Sequence, residues 1–270
     1  MTDALQVKGL KKSYGNIPVL KGIDFSVQQG EIFALLGVNG AGKTTALECI
    51  EGLRAYDNGE ITIRGKIGIQ LQSATLQAFI KPLEAVNLFS KWNKTKPNTE
   101  MLKALGIYEL SKKKYADLST GQKRRLHLAL ALIGNPDIVF LDEPTAGLDV
   151  EARHSLHEQI KELKRQGKTI ILASHDMAEV ETLCDRIAIL KDGKIAFIGT
   201  IEELTAAVGK QYTVHITTPL GRQSFVTDNL TQTLLEKISE YKDKKIEISD
   251  IRTDRGTLEQ HFIDIARSKQ

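Results

Sequence analysis

Ile32-Phe33-Ala34-Leu35-Leu36-Gly37-Val38-Asn39-Gly40-Ala41-Gly42-Lys43-Thr44-Thr45 is the stretch from which the rest of the chain is read. Its apolar run from Ile32 to Leu36 predicts a strand buried on both faces. Gly37 to Thr44 fits the pattern G-x-x-x-x-G-K-[ST], and a helix is predicted from about Lys43. A polyphosphate needs many hydrogen-bond donors and little steric obstruction. Glycines let backbone N–H groups turn inward and approach closely, and the helix N-terminus adds partial positive charge. Lys43 is placed to reach the β- and γ-phosphates, and the Thr44 hydroxyl to ligate Mg²⁺. A plain glycine turn is the alternative, disfavoured by the lysine and by the elements on either side.

Working outward, Ile138-Val139-Phe140-Leu141-Asp142-Glu143-Pro144 reads as a second buried strand ending in two carboxylates. Adjacent acids at a buried strand end are costly unless a positive group sits there. A Mg²⁺–nucleotide would supply one, with Asp142 holding the ion and Glu143 polarising the attacking water. Between these two stretches lies Leu118-Ser119-Thr120-Gly121-Gln122, followed by the basic run Lys123-Arg124-Arg125. Taken alone, Ser119 with Gln122 is a capping box that starts a helix. Its position shortly before the acidic strand, in a chain with a phosphate loop far upstream, gives it a second meaning.

In this order the motifs resemble the ATP-binding cassette (ABC) family, from about residue 5 to residue 210. The family's signature is LSGGQ and this chain has LSTGQ; Thr120 departs from the commonest form but leaves Ser119 and Gly121 in place. The resemblance implies an α/β fold of the P-loop NTPase class, with a mostly parallel core sheet, antiparallel N-terminal strands and an inserted helical subdomain. It implies ATP as ligand, Mg²⁺ as cofactor, and ATP binding by Gly37, Asn39, Gly40, Ala41, Gly42, Lys43, Thr44 and Thr45. Ser119, Thr120, Gly121 and Gln122 would close over the γ-phosphate of ATP bound to a second subunit. Tyr14 resembles the aromatic that stacks on adenine, though a half-buried strand tyrosine fits equally. Gln72 resembles the glutamine that contacts Mg²⁺ and water, and Gln70, two residues away, would face the same side of a strand. Asp149, in Gly147-Leu148-Asp149, resembles the loop crossing the dimer interface. His175 resembles the histidine that contacts the γ-phosphate. The span from Gly59 to Gly68 is shorter than the family's usual spacing.

The remaining pattern sets the organisation. Leu5 with Val7, and Ile23, Phe25 and Val27, alternate as strands, and Ile61, Ile63, Ile67 and Ile69 suggest further short ones. Residues 75–135 turn helical, with a lysine- and proline-bearing loop from Trp92 to Asn98. Thr169–Ala173 and Arg186–Leu190 read as buried strands, Leu156, Ile160 and Leu163 as a helix stripe, and Asp192-Gly193 as a tight hairpin turn. We therefore expect an ATPase domain over 1–210, with a helical subdomain at about 73–135 inserted in it. A small α+β appendage is expected over 211–270: a strand at Tyr212, Val214 and Ile216, a helix through Leu230, Leu234, Leu235 and Ile238, a strand at Ile246 and Ile248, and a last helix from Leu258 to Ile265. That last helix resembles, weakly, the tail of bacterial exporter ATPases.

The chain has 270 residues, 26% of them charged, with a formal net charge of +3. This mild balance does not point to nucleic acid. Two cysteines far apart in sequence suggest a reducing compartment. No run approaches the roughly 20 apolar residues of a membrane span. The expectation is a cytoplasmic protein, peripheral on the membrane's cytoplasmic face. Its expected partners are a separate transmembrane permease subunit and a second ATPase subunit, with a homodimer favoured because one copy carries a full catalytic set. No nucleic-acid partner is expected. Rival readings are a ribosome- or nucleic-acid-directed ABC ATPase and a nucleotide-dependent module with little turnover; an intact Glu143 argues against the second. His154 and His157, three apart on a helix, are a metal candidate weighed against a solvated face. Lys112-Lys113-Lys114 and Lys123-Arg124-Arg125 are read as solvated faces or partner contacts.

Overall fold

The computed structural model describes residues 2–70, 75–207 and 212–255. Its internal contacts divide the chain into two units, Met1–Ile198 and Gly199–Gln270. The sequence alone set this border at residue 210.

In the first unit, β1 (Asp3–Tyr14) and β2 (Ile17–Gln28) form a long hairpin. Then come β3 (Ile32–Leu36), α1 (Lys43–Ile50), β4 (Asn58–Ile63) and β5 (Ile67–Gln70). The helical region holds α2 (Pro82–Trp92), α3 (Thr99–Ala104), a 3-10 turn (Tyr115–Asp117) and α4 (Thr120–Ala131). The chain returns to the sheet through β6 (Ile138–Asp142), α5 (Val150–Arg165), β7 (Thr169–Ser174), α6 (Met177–Leu183), β8 (Arg186–Lys191) and β9 (Lys194–Gly199). Asp192 and Gly193 join β8 to β9, both at positive φ (48° and 77°), which is the backbone a two-residue hairpin turn requires.

Two sheets result. One is antiparallel, in the order β2-β1-β4; the other runs β5-β6-β7-β3-β8-β9. Strands β5, β6, β7, β3 and β8 are mutually parallel. Strands β3, β6 and β7 are buried at every position, so their sequences read as continuous apolar runs instead of alternating ones. The core joins both sheets: Phe33, Leu35, Phe140, Ile171 and Leu190 pack with Leu47 and Ile50 of α1 and with Leu5, Val7 and Ile23 of the hairpin. Phe25 stacks on Phe33 with ring centroids 5.4 Å apart. The order β6-β7-β3 has a functional consequence. Because the three strands are neighbours and point the same way, Gly37, Glu143 and His175, each just past a strand's carboxyl end, leave the sheet along one edge.

The second unit contains α7 (Ile201–Ala207), β10 (Tyr212–Thr218), β11 (Gly221–Thr227), α8 (Leu230–Asp243) and β12 (Asp250–Arg255). Its antiparallel sheet has the order β11-β10-β12. Here one expectation changes. The strand expected at Ile246 and Ile248 begins instead at Asp250; those two isoleucines pack on Val214, Ile216 and Tyr241 as a connector. Apolar alternation therefore marked burial, while the ladder itself is made by the polar segment DIRTDR. The helix expected at 258–265 lies outside the described residues.

Candidate functional site

The loop between β3 and α1 opens onto a cavity of about 340 Å³ lined by Val19, Asn39, Gly40, Gly42, Lys43, Thr44, Thr45 and Glu143. Gly42 is the N-cap of α1 at φ 107°, and it has no side chain to occupy the helix's free N–H groups. A Cβ there would be strained by the backbone and would come 3.0 Å from Leu20 Cδ2. The α1 N-terminus is thus left open to an anion. Gly37 and Ala41 do not line the cavity; Ala41 is buried and shapes the loop from behind. Lys43 is buried, and its Nζ donates to Gly37 O at 2.8 Å and to Val38 O at 3.4 Å. Burial lowers its pKa, while the charges of Glu143 and Asp142 oppose that shift.

Asp142, the last residue of β6, is also buried. Burial raises its pKa, a hydrogen bond from Thr44 lowers it, the Glu143 charge raises it and the Lys43 charge lowers it. Its Oδ1 has no hydrogen-bond partner. A hydroxyl beside a carboxylate that keeps one buried oxygen without a partner forms a hard-oxygen donor pair. Thr44 and Asp142 therefore fit Mg²⁺. Glu143 follows in the left-handed region, at φ 45°, a conformation that costs a non-glycine residue roughly 1–2 kcal/mol. Its backbone N donates to Ala173 O at 3.0 Å. Its carboxylate Oε1 stands 2.9 Å from His175 Nδ1. The His175 side chain is half exposed and that of Glu143 13% exposed, so the pair meets solvent on the histidine side.

The other anticipated residues fall elsewhere. Ser119 caps α4: its Oγ accepts from Gln122 N at 3.3 Å, and Gln122 Oε1 accepts from Ser119 N at 3.2 Å. Ser119, Gly121 and Gln122 line a second cavity of about 270 Å³ with Leu148 and Asp149, and it shares no lining residue with the first. Thr120 is exposed and lines neither. Asp149 caps α5, accepting from Ala152 N at 2.8 Å. Tyr14 is 41% exposed and outside the first cavity's lining, with Arg54 Cζ 5.2 Å and Lys12 Nζ 5.6 Å from its ring centroid. Gln72 lies outside the described residues. Gln70 is buried, and its register partner on β6 is Leu141 and not Asp142.

Weaker candidates resolve differently. His154 is exposed whereas His157 is buried, 3.6 Å from Glu179, and the described residues contain no cluster of three metal-ligating side chains. Lys112–Lys114 are exposed, as a solvated face requires. Lys123–Arg125 are half-buried. Burial lowers the Arg124 pKa, and Asp142 and Glu143 are the neighbours that oppose it, so a basic run read as surface brings a cation toward the acidic pair. The only sequence signal for this was its closeness to Ser119. Val19, from β2, also lines the first cavity with no motif to announce it.

Among known sequences, the model described as ABC transporter matches residues 20–146, and an AAA-domain model matches residues 112–181. The linearmycin resistance ATP-binding protein of Bacillus subtilis is 36% identical over 240 residues, covering 82% of this chain and 77% of that protein. The Nod factor export ATP-binding protein I of Rhizobium meliloti is 39% identical over 214 residues, covering 72% of this chain and 64% of that protein. Among solved structures, an ATP-binding subunit of an ABC transporter superposes with a TM-score of 0.68 at 28% identity, covering 76% of this chain and 92% of that one.

Proposed function

Because the chain belongs to the ABC transporter ATP-binding family, whose members bind and hydrolyse ATP, we propose that it energises export through a separate membrane-spanning chain. We assign catalysis to Lys43, Thr44, Asp142, Glu143 and His175. The observation that carries the assignment is the shared cavity: Lys43, Thr44 and Glu143 line one space, with Asp142 beside Thr44 and His175 paired to Glu143.

The backbone N–H groups of the loop and the Lys43 ammonium bind the phosphates, the ammonium exchanging two loop carbonyls for phosphate oxygens. Thr44 and Asp142 would hold Mg²⁺, and Gln72 is assigned to the same ion and to the water. The ion would supply neutralisation of charge developing on the phosphates. Glu143 accepts a hydrogen bond from the attacking water and aligns it with the γ-phosphorus. His175 holds Glu143 and contacts the γ-phosphate. Water adds as the bond to the bridging oxygen breaks and ADP departs, so catalysis is positional and electrostatic. Ser119 and Gly121 of a second copy contact the same γ-phosphate, Asp149 lies in the loop between the copies, and Tyr14 stacks on adenine.

Two facts support transport through a partner. No helix among the described residues is long and apolar enough to cross a membrane. The similar proteins carry names of resistance and export. The test is native purification of Glu143→Gln from membranes with ATP, followed by identification of what accompanies it. A polytopic membrane protein is the expected companion. Ribosomes or nucleic acid without one would sink the transport reading and leave the ATPase.

A further inference from the structure

Glu179 lies in the first turn of α6 at 2% exposure, and no step above uses it. An acid so deeply buried is costly unless several donors hold it, and two hydroxyls do. Its Oε1 accepts from Thr145 Oγ1 at 2.8 Å and its Oε2 from Ser174 Oγ at 2.6 Å. Thr145 lies two residues after Glu143, and Ser174 immediately precedes His175. One carboxylate therefore grips both segments that carry the Glu143–His175 pair.

Its surroundings fix the carboxylate in turn. Asp176 Oδ1 accepts from Ala178 N and Glu179 N at 3.0 and 3.2 Å. Asp176 N donates to Ser174 Oγ at 3.0 Å, leaving that hydroxyl's proton for Glu179. From α5, Arg153 Nη1 donates to Asp176 Oδ2 at 3.2 Å, and His157 Nε2 stands 3.6 Å from Glu179 Oε1. Arg153 and His157 are one helical turn apart, so α5 bonds the start of α6 through Arg153 and packs His157 beside Glu179.

The backbone explains why such a tie is needed. The β6–β7 ladder ends at Asp142 opposite Ala173, and Glu143 N to Ala173 O is its last bond. Glu143 then enters a strained left-handed conformation, which persists only where the surroundings over-determine it. The Thr145–Glu179–Ser174 bridge lies just past that point.

We propose that Glu179 is a positioning residue: it sets the separation of the segments bearing Glu143 and His175, and so the alignment of the attacking water. The inference rests on the assignment of Glu143 to that water.

The experiment measures steady-state ATP hydrolysis with Mg²⁺, nucleotide affinity and near-UV circular dichroism on the full chain for Glu179→Gln. Glutamine keeps the shape but presents one acceptor where the carboxylate presents two. The expected result is a fall in kcat of about tenfold or more, the scale of sub-ångström misalignment. KM and nucleotide Kd should hold within about twofold, because the phosphate loop is untouched. Thr145→Val and Ser174→Ala each remove one leg, and they serve if Glu179→Gln does not fold. Where it does fold, each should lower kcat in the parent but change it by less than about twofold in Glu179→Gln, since the shared acceptor is already altered. Unchanged kcat in all three variants overturns the proposal. So does a parallel loss of kcat, affinity and near-UV signal, which marks a merely structural acid. Glu143→Gln in the same assay separates the two readings. If it retains turnover, the assignment of Glu143 fails and this inference falls with it; if it loses turnover while Glu179→Gln keeps it, only the positioning role fails.

Discussion

His127 is buried in α4, its Nε2 3.0 Å from the Tyr115 hydroxyl and its ring stacked on that tyrosine with centroids 5.7 Å apart. Burial, then the charges of Arg124 and Lys123, push its pKa from 6.5 down to about 4. A group depressed in the fold contributes stability that is fully present above its unfolded pKa and is lost as pH falls through the folded one, here the window from 6.5 to about 4. At pH 5 the penalty is about 2 kcal/mol. We therefore expect urea titrations at pH 7 and pH 5 to show the parent losing about 2 kcal/mol more than His127→Gln, which keeps a partner for Tyr115 without the titration. Equal losses in the two proteins would assign the acid sensitivity elsewhere. Residues of this kind also mark how far a sequence can be read. Lys43, Thr44, Asp142 and Glu143 were legible because their chemistry is written in consecutive residues beside a buried strand. Glu179 was not, because Thr145 lies 34 positions away from it and only the packing of α6 on β3 and β7 brings them together. Nor was His157, whose helix spacing suggested solvent or metal and whose side chain turns inward.

At the scale of the element, the N-terminus of α4 has two duties that one residue can separate. Ser119 satisfies Gln122 N, a bond whose loss in Ser119→Ala costs about 1 kcal/mol. The same N-terminus is assigned to a phosphate of the second copy. Aspartate caps as well as serine does but sets a negative charge where the phosphate would sit. Ser119→Asp is thus expected to match the parent in unfolding free energy within about 0.5 kcal/mol while losing turnover, and Ser119→Ala to lose about 1 kcal/mol of stability with a smaller loss of turnover than Ser119→Asp. Activity surviving in Ser119→Asp would mean that this helix end meets no anion. The beginning of α4 could be placed from sequence because its capping box is local. The strands of the second unit could not all be placed. β11 is mostly exposed, and β12 has a polar sequence; each exists because β10 supplies the ladder between them. Such edge strands take their structure from a neighbour and leave little apolar period to detect.

At the scale of the whole molecule, the two cavities assigned to nucleotide are built from different parts of the first unit and share no residue. One holds the phosphate loop and Glu143; the other holds Ser119, Gly121 and Asp149. In the proposed arrangement one nucleotide takes the first cavity from one copy and the second from another copy or a related chain. A head-to-tail pair satisfies this with closed two-fold symmetry, each copy giving its loop to one ATP and its α4 to the other. Such a dimer is expected to depend on the γ-phosphate, the anion proposed to meet the α4 N-terminus. It should also be trapped when turnover stops. For Glu143→Gln, light scattering after size exclusion should therefore give twice the monomer mass with ATP and the monomer mass with ADP. The doubly changed Glu143→Gln, Ser119→Asp protein should bind ATP with unchanged affinity yet stay monomeric, since its loop is intact and only the facing helix end is altered. A dimer that persists in ADP, or in the double variant with ATP, would place the contact on another surface and leave the second cavity without a nucleotide.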